Sequence, residues 1–119
     1  MKHLVLFALC LLAMSFIPAN QKQIFPTKLE IIIRNDLGNL VEGASVQLFK
    51  TQEDYDKGEK PVTEIKKTDA KGKVVFSDLE TVAYYVQAEK GDMSNQGAGA
   101  KTIPLVAKKM NKITIIISE

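Results

Sequence analysis

The chain has 119 residues, with 16 Lys and Arg against 14 Asp and Glu, a formal net charge of +2. Its 45% apolar and 25% charged residues are ordinary globular composition, and the length supports one domain. That balance excludes the concentrated basic excess of a nucleic-acid binder and the polar excess of a disordered acidic tail.

Met1 to Asn20 reads MKHLVLFALCLLAMSFIPAN. Lys2 gives a short positive start, Leu4 to Ile17 is an uncharged apolar run, and Pro18, Ala19 and Asn20 end it. This is the layout of a secretory signal peptide, and the run falls short of the roughly 20 apolar residues that cross a bilayer. Residues 1–19 are expected to be removed after Ala19, with residues 20–27 as a flexible leader and no membrane span left. Cys10 lies in the middle of the apolar run, not at its end, so lipidation is disfavoured. Cys10 and His3 are the only cysteine and histidine. The exported chain then has neither, and losing Lys2 lowers its net charge to +1. Its expected place is outside the cell, in the periplasm or on the cell envelope. Without disulfides its stability rests on core packing.

The rest reads as strands. Lys28 to Asn35, KLEIIIRN, alternates with period two and is rich in β-branched residues. Asn35 to Asn39 is a turn. Ala44 to Lys50, ASVQLFK, is a second strand with Val46 and Leu48 on one face. Thr51 to Gly58, TQEDYDKG, breaks the pattern. Thr51 can cap a short helical turn over residues 52–57 with Asp54 three positions on, and Gly58 can end it left-handed. Tyr55 is expected to fold onto the sandwich edge. Val62 to Thr68 reads as an edge strand, where Lys66 and Lys67 deter stray pairing. Asp69 to Gly72 is a turn into Lys73 to Ser77. Ala83 to Glu89 places Tyr84, Val86 and Ala88 on one face and Tyr85, Gln87 and Glu89 on the other. Lys101 to Ala107 and Lys112 to Ser118 finish the count, with Ile113, Ile115 and Ile117 facing the core. Short strands separated by turn residues, with no long amphipathic helix, predict an all-β antiparallel sandwich of seven strands with one helical turn.

Three segments carry a family likeness: LEIIIRNDLGNLVEGASVQLF (29–49), TDAKGKVVFSDL (68–79) and YYVQAE (84–89). Their order resembles carboxypeptidase regulatory-like domains. These belong with the prealbumin-like sandwiches, a group that includes collagen-adhesin B-type repeats. The likeness spans residues 28–119 and implies an immunoglobulin-like or prealbumin-like sandwich. The YYVQAEKGDMSN stretch also resembles small secreted proteins of Bacteroidota. Gly38, Gly43 and Gly72 take turn or close-approach roles in this reading, and Val46, Leu48, Val74, Phe76, Leu79, Tyr84 and Val86 fill the core.

The residue inventory limits the chemistry. Zinc peptidase sites and Ser-His-Asp or Cys-His systems need His or Cys, and the exported chain has neither. No Gly-rich phosphate loop opens a helix. No enzyme activity, cofactor or metal is expected. The adhesin likeness raises a Lys–Asn or Lys–Asp isopeptide bond, but Ile33 stands where its lysine belongs. Lys28, Asn111 and Glu89 remain as weak substitutes. Asp36, Asn39, Glu42, Asp69 and Asp78 are more consistent with turns and caps than with a calcium site.

The candidate recognition surface is the polar, Gly-rich stretch 91–100, with Asp92 as a possible ligand residue and Asn95 and Gln96 expected to be exposed. Tyr85 and Tyr55 are the available aromatic platform. The expected function is a non-catalytic secreted or envelope-associated binding module for a glycan or a protein. The alternative is a structural or assembly protein that pairs through an exposed edge or its C-terminal strand, where Ile116 offers an apolar contact. A monomer or weak oligomer is expected.

Overall fold

The computed structural model describes residues 25–96 and 100–119. The expected signal peptide, with His3 and Cys10, lies outside the described residues. So does most of the expected leader.

The described chain forms β1 (Lys28–Asn35), β2 (Ser45–Phe49), helix α1 (Gln52–Lys57), β3 (Lys66–Lys67), β4 (Lys73–Phe76), β5 (Tyr85–Lys90), β6 (Met93–Ser94) and β7 (Met110–Ile117). One sheet has the order β4-β1-β7 and the other β3-β2-β5-β6. The core lies between them. Leu29, Ile31 and Ile33 of β1, Val46 and Leu48 of β2, Val86 and Ala88 of β5, and Ile117 of β7 are fully buried in it. Alternation along each strand produces this face, because successive side chains point to opposite sides of a sheet. Val74, Phe76, Tyr84 and Ile115 fill the remaining space, with Leu79 and Ile113 packed at its margin.

One pairing departs from the expected antiparallel pattern. β1 and β7 run parallel, from Lys28 opposite Met110 to Asn35 opposite Ile117. Between β1 and β7 the chain passes through β2 and β3 of the second sheet, β4 of the first, and β5 and β6 of the second, and a long connection of that kind permits a parallel partner. The strand count matches the expectation, but one member differs. The predicted strand 101–107 touches β5 only at an isolated bridge between Lys101 and Tyr85. Pro104 interrupts it, since proline has no N–H to donate to a ladder. The seventh strand is instead β6, inside the stretch predicted as a loop. The predicted edge strand 62–68 shortens to the two lysines of β3.

Local chemistry sets the connections. Thr51 accepts a hydrogen bond from Asp54 N–H and Gly58 closes α1 at φ 65°, as the sequence pattern predicts. Thr68 is buried, with its hydroxyl accepting from Ala44 N–H at 2.9 Å and donating to Val41 carbonyl at 2.6 Å. It staples the entry to β2 onto the end of β3. Gly72 sits at φ +71°, and a Cβ there would lie 2.7 Å from the Ile33 carbonyl oxygen. Only glycine lets this turn approach β1 so closely.

Candidate functional site

The predicted recognition stretch folds back along the outer edge of β5. Met93 and Ser94 pair with Lys90 and Glu89, and Asn95 N–H then donates to Ala88 carbonyl. Further along, Ala100 carbonyl accepts from Val86 N–H and Thr102 N–H donates to Tyr84 carbonyl. Among the described residues this leaves Ala88 N–H and Val86 carbonyl on the outer side of β5 without a backbone partner.

Asn95 repairs it. Expected to be exposed, this residue is fully buried. Its Oδ1 accepts from Ala88 N–H at 3.1 Å and its Nδ2 donates to Val86 carbonyl at 2.7 Å. A carboxamide offers a donor and an acceptor side by side, the same pair that a strand residue presents. Asn95 therefore completes the edge as a surrogate strand residue. Thr102 does related work one step on, where its hydroxyl accepts from Tyr84 N–H at 2.9 Å.

Tyr55 covers this repair from α1. Its hydroxyl makes a long 3.4 Å contact to Asn95 Oδ1. Its ring packs edge-on against buried Phe49 at 6.0 Å and tilted against Tyr85 at 6.2 Å. Burial, with a smaller push from Asp56, raises the Tyr55 hydroxyl above its ordinary pKa and keeps it a donor. Tyr85 carries Lys101 Nζ over its ring at 5.7 Å. The two tyrosines thus belong to one packed cluster. Asp92 and Gln96 are exposed and, with Gln87, Glu89 and Ser94, line a shallow polar hollow of about 200 Å³ beside it. The five residues singled out from sequence are therefore neighbours, but three of them hold the edge together.

The other candidate residues have backbone partners or stacked positions. Asn111 Oδ1 accepts from Val106 N–H, and its Nδ2 donates to the carbonyls of Lys28 and Val106. Lys28 Nζ lies over the Phe25 ring at 5.4 Å. Asp69 Oδ1 accepts from Lys71 and Lys73 N–H, which holds its carboxyl below the ordinary value. Among the described residues no helix is long and apolar enough to cross a membrane, and no group of three or more His, Cys, Asp or Glu side chains gathers.

The sheet edges differ sharply. β3 is two exposed lysines. β4 has its Val75 carbonyl capped by Lys66 Nζ at 2.8 Å, with the same ammonium over the Phe76 ring at 5.2 Å. β5 is sealed as described. β7 is the exception. Lys28 N–H donates to Lys109 carbonyl, which fixes the ladder phase: Asn111, Ile113, Ile115 and Ile117 turn their backbone groups to β1. Met110, Lys112, Thr114 and Ile116 turn theirs away from it. Ser118 follows the same phase and exchanges both hydrogen bonds with Ser94. Among the described residues nothing bonds to the outward backbone groups of the four residues before it. Ile116 is 43% exposed, as expected, and Met110 is 36% exposed. The apolar alternation visible in the sequence starts at Lys112, two residues after the strand itself begins at Met110.

No protein-family model matches the chain, and comparison with curated proteins finds no match. Solved structures do match in fold. A streptococcal ancillary pilin superposes with a TM-score of 0.60 at 17% identity over 82% of this chain and 33% of its own. A variant of BcpA, the major pilin subunit of Bacillus cereus, gives 0.53 at 18% identity over 77% of this chain and 28% of its own. The chain thus spans about a third of the length of the pilins it matches. Its fold is a β-sandwich of two sheets, as in those pilin domains.

Proposed function

We propose that this chain is a non-catalytic structural or assembly module, exported to the cell envelope or beyond, that joins its partner through the open edge of β7. The observation that carries this reading is the contrast among edges. Three are short, capped by lysine or sealed by Asn95, while β7 presents four consecutive outward residues with unpaired backbone groups among the described residues. An edge of that kind is a template for another strand, and strand addition is an established recognition mode. The fold shared with pilin subunits supports an assembly role over a ligand-binding one. The carboxypeptidase regulatory-like likeness is compatible with it, since it implies an appended domain and not a catalyst.

A photo-crosslinking side chain at Lys112 tests this in cells that export the chain. Adducts of higher mass are expected at 112 and not at Glu59, on the exposed loop after α1. Absent adducts, or equal adducts at both positions, contradict the proposal.

A second reading rests on the polar hollow. There Asp92, Gln96 and Gln87 would take hydroxyls of a small glycan, with Tyr85 and Tyr55 alongside. It has weaker support, because Tyr55 and Lys101 pack against Tyr85 and leave little of its ring as a sugar platform. Binding on a glycan array that is lost in an Asp92→Ala, Gln96→Ala double variant would favour it.

A further inference from the structure

The sequence of β7 carries an argument for what covers it. In an antiparallel partner across this edge, directly opposed residues must point to the same face. The outward set Met110, Lys112, Thr114 and Ile116 must therefore meet a like set, and a second copy of β7 supplies one.

Only a few self-pairing registers satisfy that rule. A register centred on Lys112 sets two ammonium groups directly opposite, which is unfavourable. One centred on Thr114 sets Met110 against Ser118, whose N–H and carbonyl already bond Ser94, so Met110 stays unpaired. A register centred on Ile113 opposes Met110 to Ile116 and Lys112 to Thr114. All four outward residues then exchange hydrogen bonds, as antiparallel ladder pairs do. The two exposed apolar side chains of the strand, Met110 and Ile116, cover each other. Half-buried Ile113 meets its symmetry mate on the core side. Antiparallel pairing also brings Lys108 and Lys109 toward Glu119 of the partner subunit, whereas parallel pairing would place these lysines beside their own copies.

We propose, resting on the edge-assembly reading above, that the chain self-associates through a twofold axis at Ile113, with β7 antiparallel to β7 of a second copy in this register. The pairing merges two three-stranded sheets, β4-β1-β7 and its copy, into one. A strand of this length spans about 25 Å, so the contact is smaller than the roughly 800 Å² per partner of a standard stable complex. The association is weak and concentration-dependent.

Every described element lies within residues 25–119, so the test uses the exported form of the chain. Sedimentation velocity over a concentration series is expected to show monomer passing to dimer. Thr114→Pro removes only an outward N–H and is expected to raise the midpoint concentration about tenfold or more, through loss of a hydrogen bond on each copy. Single cysteines then read the register, because the exported chain has no other cysteine. Ile113→Cys faces its mate at about 4.5 Å between Cα atoms and is expected to form a disulfide-linked dimer under mild oxidation. Thr114→Cys is offset beyond the roughly 7 Å limit for a disulfide and is expected to stay reduced. A monomer at every concentration, or bridging at 114 in preference to 113, overturns the proposal. If such a monomer still gives Lys112 adducts in cells, self-pairing is wrong but edge assembly stands. If those adducts are absent too, both readings fall.

Discussion

The outer sides of β5 and β7 meet the same problem and answer it differently. Beyond β5 the Asn95 carboxamide, with Thr102 beside it, takes over the N–H and carbonyl that lack a described backbone partner. Beyond β7, among the described residues, closure comes only at Ser118, where Ser94 exchanges both bonds, and the outward groups before it find no described partner. A buried polar group must be satisfied inside the fold, because leaving it bare costs about 1–3 kcal/mol. A group at an open edge is satisfied by water and can be handed to another strand. The first arrangement is what a stable sandwich requires, and the second leaves backbone groups open to the strand pairing proposed above.

The largest expected effect separates the two sides of β7 itself. Ile115 N–H serves β1 and Thr114 N–H does not. Ile115→Pro loses both a ladder hydrogen bond and a buried side chain and is expected to cost about 3 kcal/mol or more, while Thr114→Pro on the open edge should change monomer stability by under about 1 kcal/mol. Urea midpoints at low protein concentration check both, and equal losses would show that the assigned ladder phase is wrong.

Breaking the β5 seal comes next. Asn95→Ala removes the partners of Ala88 N–H and Val86 carbonyl and is expected to destabilise by about 3 kcal/mol. Asn95→Asp keeps the acceptor but sets a carboxylate against the Val86 carbonyl, so it should rescue little. If Asn95→Ala is tolerated within about 0.5 kcal/mol, water can enter this edge and the repair is dispensable.

Tyr55→Phe sharpens the same region more gently. The hydroxyl contact is long at 3.4 Å, and its loss should cost under about 1 kcal/mol. The Phe49 and Tyr85 packing should survive, with little change in near-ultraviolet dichroism from Tyr85.

The smallest effect concerns Asp69, away from both edges. Its folded pKa is depressed by the Lys73 and Lys71 N–H groups. Its contribution is therefore present above the unfolded carboxylate value of about 3.9 and lost as pH falls through the lower folded value. Asp69→Asn should flatten the acid limb of a stability–pH curve slightly and leave the neutral limb unchanged.

Much of the fold was legible because alternation reports burial directly. Ile31 and Ile33, Val46 and Leu48, and Val86 and Ala88 fall where period two places them, and the Thr51 and Gly58 caps of α1 follow from local chemistry alone. The parallel pairing of β1 and β7 was not legible, because alternation says which face is buried and not which strand lies alongside. Asn95 was misread for a related reason. In a Gly-rich polar stretch an asparagine resembles a loop residue, and only the neighbouring strand reveals the N–H and carbonyl it replaces. Ile116 was visible as an exposed apolar residue, whereas Met110 became its counterpart only once the strand proved to begin at Met110.

The most direct test of the open edge is amide hydrogen exchange, followed residue by residue along β7. In dilute solution Asn111, Ile113, Ile115 and Ile117 should be protected while Met110, Lys112, Thr114 and Ile116 exchange freely. On concentration, protection should appear at those four and spare exposed loop amides such as Glu59. Protection of all eight in dilute solution would mean that the edge is already covered within the chain, and free exchange of the four at every concentration would mean that no second copy pairs with it.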